Sequence, residues 1–185
     1  MKLEKTLLDG LYIIHTDVFG DHRGWFTESY SEKKYQDLGI NTHFIQDNHS
    51  YSKEKGTLRG LHFQTGEFAQ SKLVRCTKGK ILDICVDLRR NSSTYLKYIY
   101  VELTESNHLQ LFVPKGFAHG FVTLVDDVEI MYKVDKYYSK DHDSGIRYND
   151  PSLNINWSEL VGINKFILSS KDEQLGFIKD MDIEF

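Results

Sequence analysis

Between residues 43 and 135 the apolar positions fall into short runs separated by polar punctuation, and no helical period survives across the block. The runs at 72–77, 80–87, 96–103, 110–113 and 120–124 are rich in β-branched and aromatic residues. Gly, Asn, Ser and Lys separate them at the spacing of strands in a sandwich or barrel. Upstream, residues 11–15 read as a strand. Asp21-His22-Arg23-Gly24 reads as a polar turn, followed by a second strand over 25–30. One short helix is predicted over 32–38, with Ser31 as its N-cap and Gly39 as its stop. From Ile155 onward the pattern weakens to one or two short helical or irregular pieces. The fold class is therefore all-β: an antiparallel double-sheet barrel of the jelly-roll kind with short peripheral helices. Only two prolines occur, Pro114 and Pro151, with no linker and no internal repeat. Residues 1–185 read as a single domain.

Composition narrows the function more than the fold. Aromatic residues make up 13% of the chain, with 11 Tyr and 11 Phe, which suits strands or an aromatic-lined pocket. A net charge of −4 offers no basic face for nucleic acid. No apolar run reaches membrane-spanning length, and the N-terminus lacks the charged-then-apolar pattern of a signal peptide, so a cytoplasmic location is expected. Cys76 and Cys85 do not form a CxxC pair. They read as reduced, buried thiols, and they could face each other on neighbouring strands.

Several segments could carry chemistry. Leu58-Arg59-Gly60-Leu61-His62-Phe63-Gln64 sets Arg and His among strand formers. Simple alternation puts Leu58, Gly60, His62 and Gln64 on one face and turns Arg59 away from His62. A bulge at Gly60 would bring both into one cavity. On the strand that follows, Gln70, Lys72 and Val74 share a face. A Lys and a His in one β-lined pocket could bind and deprotonate a carbon acid, although a solvated surface strand explains the residues equally well. In Pro114-Lys115-Gly116-Phe117-Ala118-His119, a tight turn would leave His119 at a barrel mouth. A lone His there reads first as a structural one. Tyr132 reads first as an amphipathic core residue. Ser169-Ser170-Lys171-Asp172-Glu173 reads as a charged turn. The stretches Phe19 to Gly24 with Glu28, and Gln46-Asp47-Asn48, each read singly as polar loops. The eight histidines contain no HxH or HExxH spacing, so no metal is expected.

Together, "VFGDHRGWFTESY", "QDNHSYS", "LRGLHFQ", "QSKLVRC", "LDICVDLRRNSSTY", "PKGFAHGF", "YKVDKYY", "YNDPSLNINW" and "SSKD" resemble the dTDP-4-dehydrorhamnose 3,5-epimerase family, a cupin-type jelly roll (double-stranded β-helix). The likeness covers nearly the whole chain. It implies a homodimer acting on a dTDP-sugar with no metal and no organic cofactor. It also implies roles. His62 would be the base, Asp172 its carboxylate partner, Tyr132 the acid on the other face, and Lys72 the stabiliser of the enolate oxygen. Arg23, Glu28, Gln46, Asp47, Asn48, Arg59, His119, Asp143 and Lys171 match nucleotide- or sugar-contacting positions, and Phe19 and Tyr138 would pack near the base. Asp143 stands where many relatives carry Glu.

The implied chemistry is physically coherent. Hydrogens on carbons 3 and 5 of a 4-keto-6-deoxyhexose flank the ketone, so loss of either leaves an enolate. An imidazole of ordinary pKa near about 6.5 suits the removal. A cation at the carbonyl oxygen stabilises the charge that develops there. Inversion needs a donor on the opposite face, which a phenol can be. The expected reaction turns dTDP-4-dehydro-6-deoxy-D-glucose into dTDP-4-dehydro-β-L-rhamnose, within dTDP-L-rhamnose synthesis. Competing expectations are a mono-epimerase acting at carbon 3 or 5 only, a non-catalytic sugar-nucleotide-binding cupin, and a metal-dependent cupin enzyme.

Overall fold

A computed structural model describes residues 1–185 throughout. In chain order the first strands are β1 (Lys2–Lys5), β2 (Tyr12–His15), β3 (Val18–Asp21) and β4 (Gly24–Thr27), followed by helix α1 (Glu32–Asp37). Then come β5 (Gln46–Ser52), β6 (Leu58–Gln64), β7 (Lys72–Lys78), β8 (Lys80–Asp87), β9 (Tyr98–Thr104) and β10 (Leu109–Val113). The chain continues through β11 (Phe117–Thr123), β12 (Val128–Val134) and β13 (Asp143–Gly145) to α2 (Trp157–Val161) and α3 (Ser170–Glu173). A six-stranded sheet orders β1-β2-β10-β7-β12-β5 and a five-stranded sheet orders β13-β6-β11-β8-β9, while β3 and β4 form a separate hairpin. Every pairing within these sheets is antiparallel. The expected all-β, cupin-type double sheet is the fold observed.

Three apolar clusters explain which strands read cleanly. The first gathers Val74, Cys76, Leu111 and Ile130 of the six-stranded sheet with Ile81, Cys85, Phe117 and Phe121 of the five-stranded sheet. The second packs Leu58, Leu61, Leu82, Ile84 and Val86 against Ile146, Leu153, Trp157 and Ile183 from the C-terminal third. The third sets Tyr35 of α1 and Ile40 on Ile14, Leu73 and Phe112. Strand β8 sends Ile81 and Cys85 to the first cluster and Leu82, Ile84 and Val86 to the second. Burial on both faces explains its nearly continuous apolar run. Each such aliphatic side chain contributes about 1.5–3 kcal/mol of burial. Cys76 and Cys85 are free and buried, on strands of different sheets.

The bulge expected at Gly60 is present. Between β6 and β11, His119 pairs with His62 and Phe121 with Arg59, so β6 holds one residue more than its partner. The extra residue resets the alternation. Leu61 and Phe63 join the second cluster, while Arg59 and His62 both line the cavity. Gly60 has φ +124°, and a Cβ there would lie 2.6 Å from the Gly120 Cα. A Cβ on Gly120 would lie 2.7 Å from the Arg59 carbonyl oxygen, so neither position admits a side chain without moving backbone.

Other expectations shift. Gln46-Asp47-Asn48 opens strand β5 rather than forming a loop, because its alternating exposure fits an edge strand paired with β12. His119 follows the turn at 115–116 as expected, but it lies within β11 and is buried, 8% exposed. Ser31 stands at the N-cap of α1 but makes no side-chain capping bond. Asp172, read as part of a solvated turn, is buried.

Candidate active site

One cavity of about 430 Å³ opens between the sheets. His62 and Arg59 reach it from β6 and His119 from β11, all in the five-stranded sheet. Lys72 from β7 and Tyr132 from β12 reach it from the six-stranded sheet, with Lys171 and Asp172 of α3 at its rim. Imidazole and phenol therefore stand on opposite walls of a shared space. Leu58, Phe121, Ile130, Ile167 and Leu168 supply apolar lining, which lowers the local dielectric and strengthens charge–charge interactions.

His62 is positioned by a carboxylate. Its Nε2 lies 2.5 Å from Asp172 Oδ1. Asp172 is held in turn by Ser169, which N-caps α3 and accepts from the Asp172 backbone N–H at 3.1 Å. Burial alone would raise the Asp172 carboxyl. Hydrogen bonds from His62 and Ser169, the His62 charge and a backbone contact at Gly60 outweigh burial and hold it below the ordinary range. A carboxylate on Nε2 favours the tautomer that carries its proton there, which leaves Nδ1 as the nitrogen able to accept one.

Tyr132 sits above the ordinary phenol value because it is buried, with Arg59 opposing the rise, so it is a protonated donor at neutral pH. Burial pushes the Lys72 ammonium below the usual lysine range. Arg59 is braced by Ser52 Oγ at 3.1 Å and by the Tyr51 carbonyl at 3.0 Å. His119 Nε2 lies 2.9 Å from both carboxylate oxygens of Asp83. Asp83, Cys85 and His119 also form the chain's sole grouping of three potential cation ligands, within 4.8 Å of one another.

The remaining expected positions lie outside this cavity. Tyr138 is exposed, and its hydroxyl donates to Asp143 at 3.0 Å; Lys171 also bonds Asp143. Gln46 donates to Asn48 at 2.8 Å along β5. Asp47 is exposed and paired with Lys133 at 2.8 Å. Glu28 pairs with Lys34 at 3.0 Å. Arg23 pairs with Asp21 at 2.6 Å and shares a shallow hollow with Phe19, Trp25 and Phe26 on the β3–β4 hairpin. Sequence reasoning passed over Asp83 and the Ser169 cap. The signal for Asp83 was present: a carboxylate at a core position of β8, on the face of Ile81 and Cys85.

A double-sheet barrel with an imidazole, a phenol and an ammonium around one cavity defines an acid–base enzyme of the cupin-type jelly-roll class. A family model described as dTDP-4-dehydrorhamnose 3,5-epimerase matches residues 5–180. The dTDP-4-dehydrorhamnose 3,5-epimerase of Escherichia coli K12 is 47% identical over 176 residues, spanning 95% of this chain and 93% of that protein. The crystal structure of the Bacillus anthracis enzyme of that name, with TDP and PPi bound, matches with a TM-score of 0.92 at 48% identity, covering 96% of this chain and 99% of that one. The Legionella pneumophila epimerase in complex with dTDP-4-keto-L-rhamnose matches with a TM-score of 0.91 at 39% identity, covering 98% of this chain and 94% of that one. The chain belongs to the dTDP-4-dehydrorhamnose 3,5-epimerase family.

Proposed function

We propose that this chain epimerises carbons 3 and 5 of dTDP-4-dehydro-6-deoxy-D-glucose, giving dTDP-4-dehydro-β-L-rhamnose for dTDP-L-rhamnose synthesis. The observation that carries this reading is the placement of His62 and Tyr132 on facing walls of one cavity, with Lys72 beside them. His62, its Nε2 proton held by Asp172, takes the carbon-bound hydrogen at Nδ1. The electron pair moves to the ketone oxygen, where the Lys72 ammonium meets the charge. Tyr132 then gives a proton to the opposite face of the same carbon, and the ring turns for the second centre. Arg59 and Lys171 supply cations suited to a diphosphate, and His119 contacts the sugar.

The working unit is a homodimer. Phe19, Trp25 and Phe26 are each more than 60% exposed on a hairpin that joins neither main sheet, which leaves an apolar surface for a second copy. Phe19, Arg23 and Glu28 would then serve the substrate of the neighbouring subunit, since they lie apart from their own cavity. Two buried, unpaired thiols accord with a cytoplasmic location. The test is incubation with the 4-keto sugar nucleotide in deuterated water. Deuterium at both carbons is expected. Label at one carbon would make the protein a mono-epimerase, and binding without label would make it a non-catalytic cupin.

A further inference from the structure

A carboxylate, a thiol and an imidazole meet beside the cavity. Strand β8 turns Asp83 and Cys85 to one face, and β11 sets His119 directly across from Cys85. The grouping has no metal-type spacing in the sequence because its third member comes from a neighbouring strand. Asp83 and Cys85 are 0% exposed and His119 is 8% exposed. Of the three, His119 borders the cavity.

The potential ligand atoms all lie within 4.8 Å of one another. His119 Nε2 is 2.9 Å from each Asp83 carboxylate oxygen, and Cys85 Sγ is 3.9 Å from Asp83 Oδ1. In a tetrahedron with zinc bonds of about 2.0–2.3 Å, imidazole nitrogen and carboxylate oxygen stand about 3.4 Å apart, and sulfur and oxygen about 3.6 Å apart. Shifts of about half an ångström therefore turn the hydrogen-bonded group into three ligands. The thiol sets this group apart from an ordinary His–Asp pair, because it brings a third, soft donor to the same carboxylate. Thiolate with imidazole suits zinc or cobalt rather than magnesium or calcium.

We propose that Asp83, Cys85 and His119 bind zinc or a similarly soft divalent cation, reached through the cavity past His119, and that its binding switches the active site off. Binding exchanges protons for metal. Cys85 gives its thiol proton to solvent, and the neutral His119 ring moves its proton from Nε2 to Nδ1, which frees Nε2 as a ligand. Burial keeps Cys85 a thiol in the metal-free protein, so affinity rises with pH. Water from the cavity completes the fourth position. The ion withdraws His119 from the sugar and adds positive charge beside a cavity already lined by Arg59, Lys72 and Lys171. The site stands on its own geometry, and the switch rests on the epimerase reading.

The probe is Co²⁺ added to the full-length, thiol-reduced protein. It should give a thiolate-to-cobalt charge-transfer band in the near ultraviolet that strengthens as pH rises. Exposed pairs such as His49 with Glu129 offer no sulfur and give no such band. Cys85→Ser should remove the band and weaken binding by at least roughly tenfold, while metal-free turnover stays within roughly a factor of two of wild type. Cys76→Ser removes the other thiol and should keep the band. No band in the wild type, or a band that survives Cys85→Ser, overturns the site. If Cys85→Ser does not fold, X-ray absorption of zinc-loaded Cys76→Ser decides, since Cys85 is then the single thiol. Sulfur at about 2.3 Å supports the site, and nitrogen and oxygen alone overturn it. For the switch, saturating Zn²⁺ should slow wild-type deuterium exchange at the substrate carbons by at least roughly tenfold, with recovery on chelation and little effect on Cys85→Ser. Full activity at full occupancy overturns the switch. Metal-free wild type that exchanges no carbon-bound hydrogen would instead sink the epimerase reading, and the cobalt band would still test the site.

Discussion

At the scale of single residues, the proposed base, His62, is paired with a carboxylate that is buried, Asp172. Asp172→Asn keeps the shape around His62 but removes the charge that holds the Nε2 proton, so kcat should fall by about 10²–10⁴-fold. Affinity for dTDP, measured by calorimetry, should change little; wild-type turnover would remove Asp172 from the mechanism. Tyr132→Phe separates the two halves of the reaction. It should retain solvent exchange at the substrate carbons while losing net inversion, as read by proton NMR of the sugar. Normal epimerisation by that variant would require another donor. These residues were legible only in part. His62 and Lys72 stood out as polar side chains among strand formers, yet a surface strand explained them equally well until the family strings were read together. Asp172 carried no local signal at all, because a charged string at a chain's end looks solvated whether or not α3 folds it against β6.

At the scale of elements, the β6 bulge sets which side chains enter the cavity. Gly60→Ala should destabilise the protein by roughly 2–5 kcal/mol, combining a disfavoured φ with a collision against β11. Urea unfolding measures this, and an unchanged midpoint would mean that the backbone yields more easily than the contacts suggest. The loop after β8 gives a pH-dependent prediction. Asp87 is fully buried and accepts from Arg89 Nη2 at 2.8 Å, Ser92 Oγ at 2.6 Å and Thr94 Oγ1 at 2.7 Å. Burial pushes its carboxyl up, but those bonds outweigh burial and bring it down to about 2. A carboxyl depressed on folding stabilises above its unfolded value and loses that contribution as pH falls through the folded one. Asp87 should therefore contribute on the order of 2 kcal/mol above about pH 4, lost toward pH 2. The wild-type minus Asp87→Asn difference in urea midpoint should shrink over that window, and a constant difference would refute it. The glycine alone suggested the bulge, because no other residue in the run tolerates a positive φ. The polar edge strand β5 was missed because its inward positions are not apolar, so its period of two carried no hydrophobic contrast.

At the scale of the whole molecule, the exposed apolar face of hairpin β3–β4 is the surface that the proposed homodimer would cover. Replacing Phe19, Trp25 and Phe26 together by Ser should yield a monomer in analytical ultracentrifugation, with weakened dTDP binding. A triple variant that sediments like wild type would place the subunit contact elsewhere. The double sheet itself was readable because strand punctuation recurs along the middle of the chain. Which positions share the cavity was not, since sheet order β13-β6-β11-β8-β9 joins strands far apart in sequence.

In the proposed reaction the proton taker His62 and the proton giver Tyr132 are mounted on different sheets, and Val74, Ile130, Phe117 and Phe121 pack in one cluster that joins those sheets. On that reading stereochemistry would depend on the interior filling. Loosen that filling, by trimming Ile130 to Ala or by warming toward the melting point, and hydrogen should still wash in from solvent while the handedness of the product begins to fail.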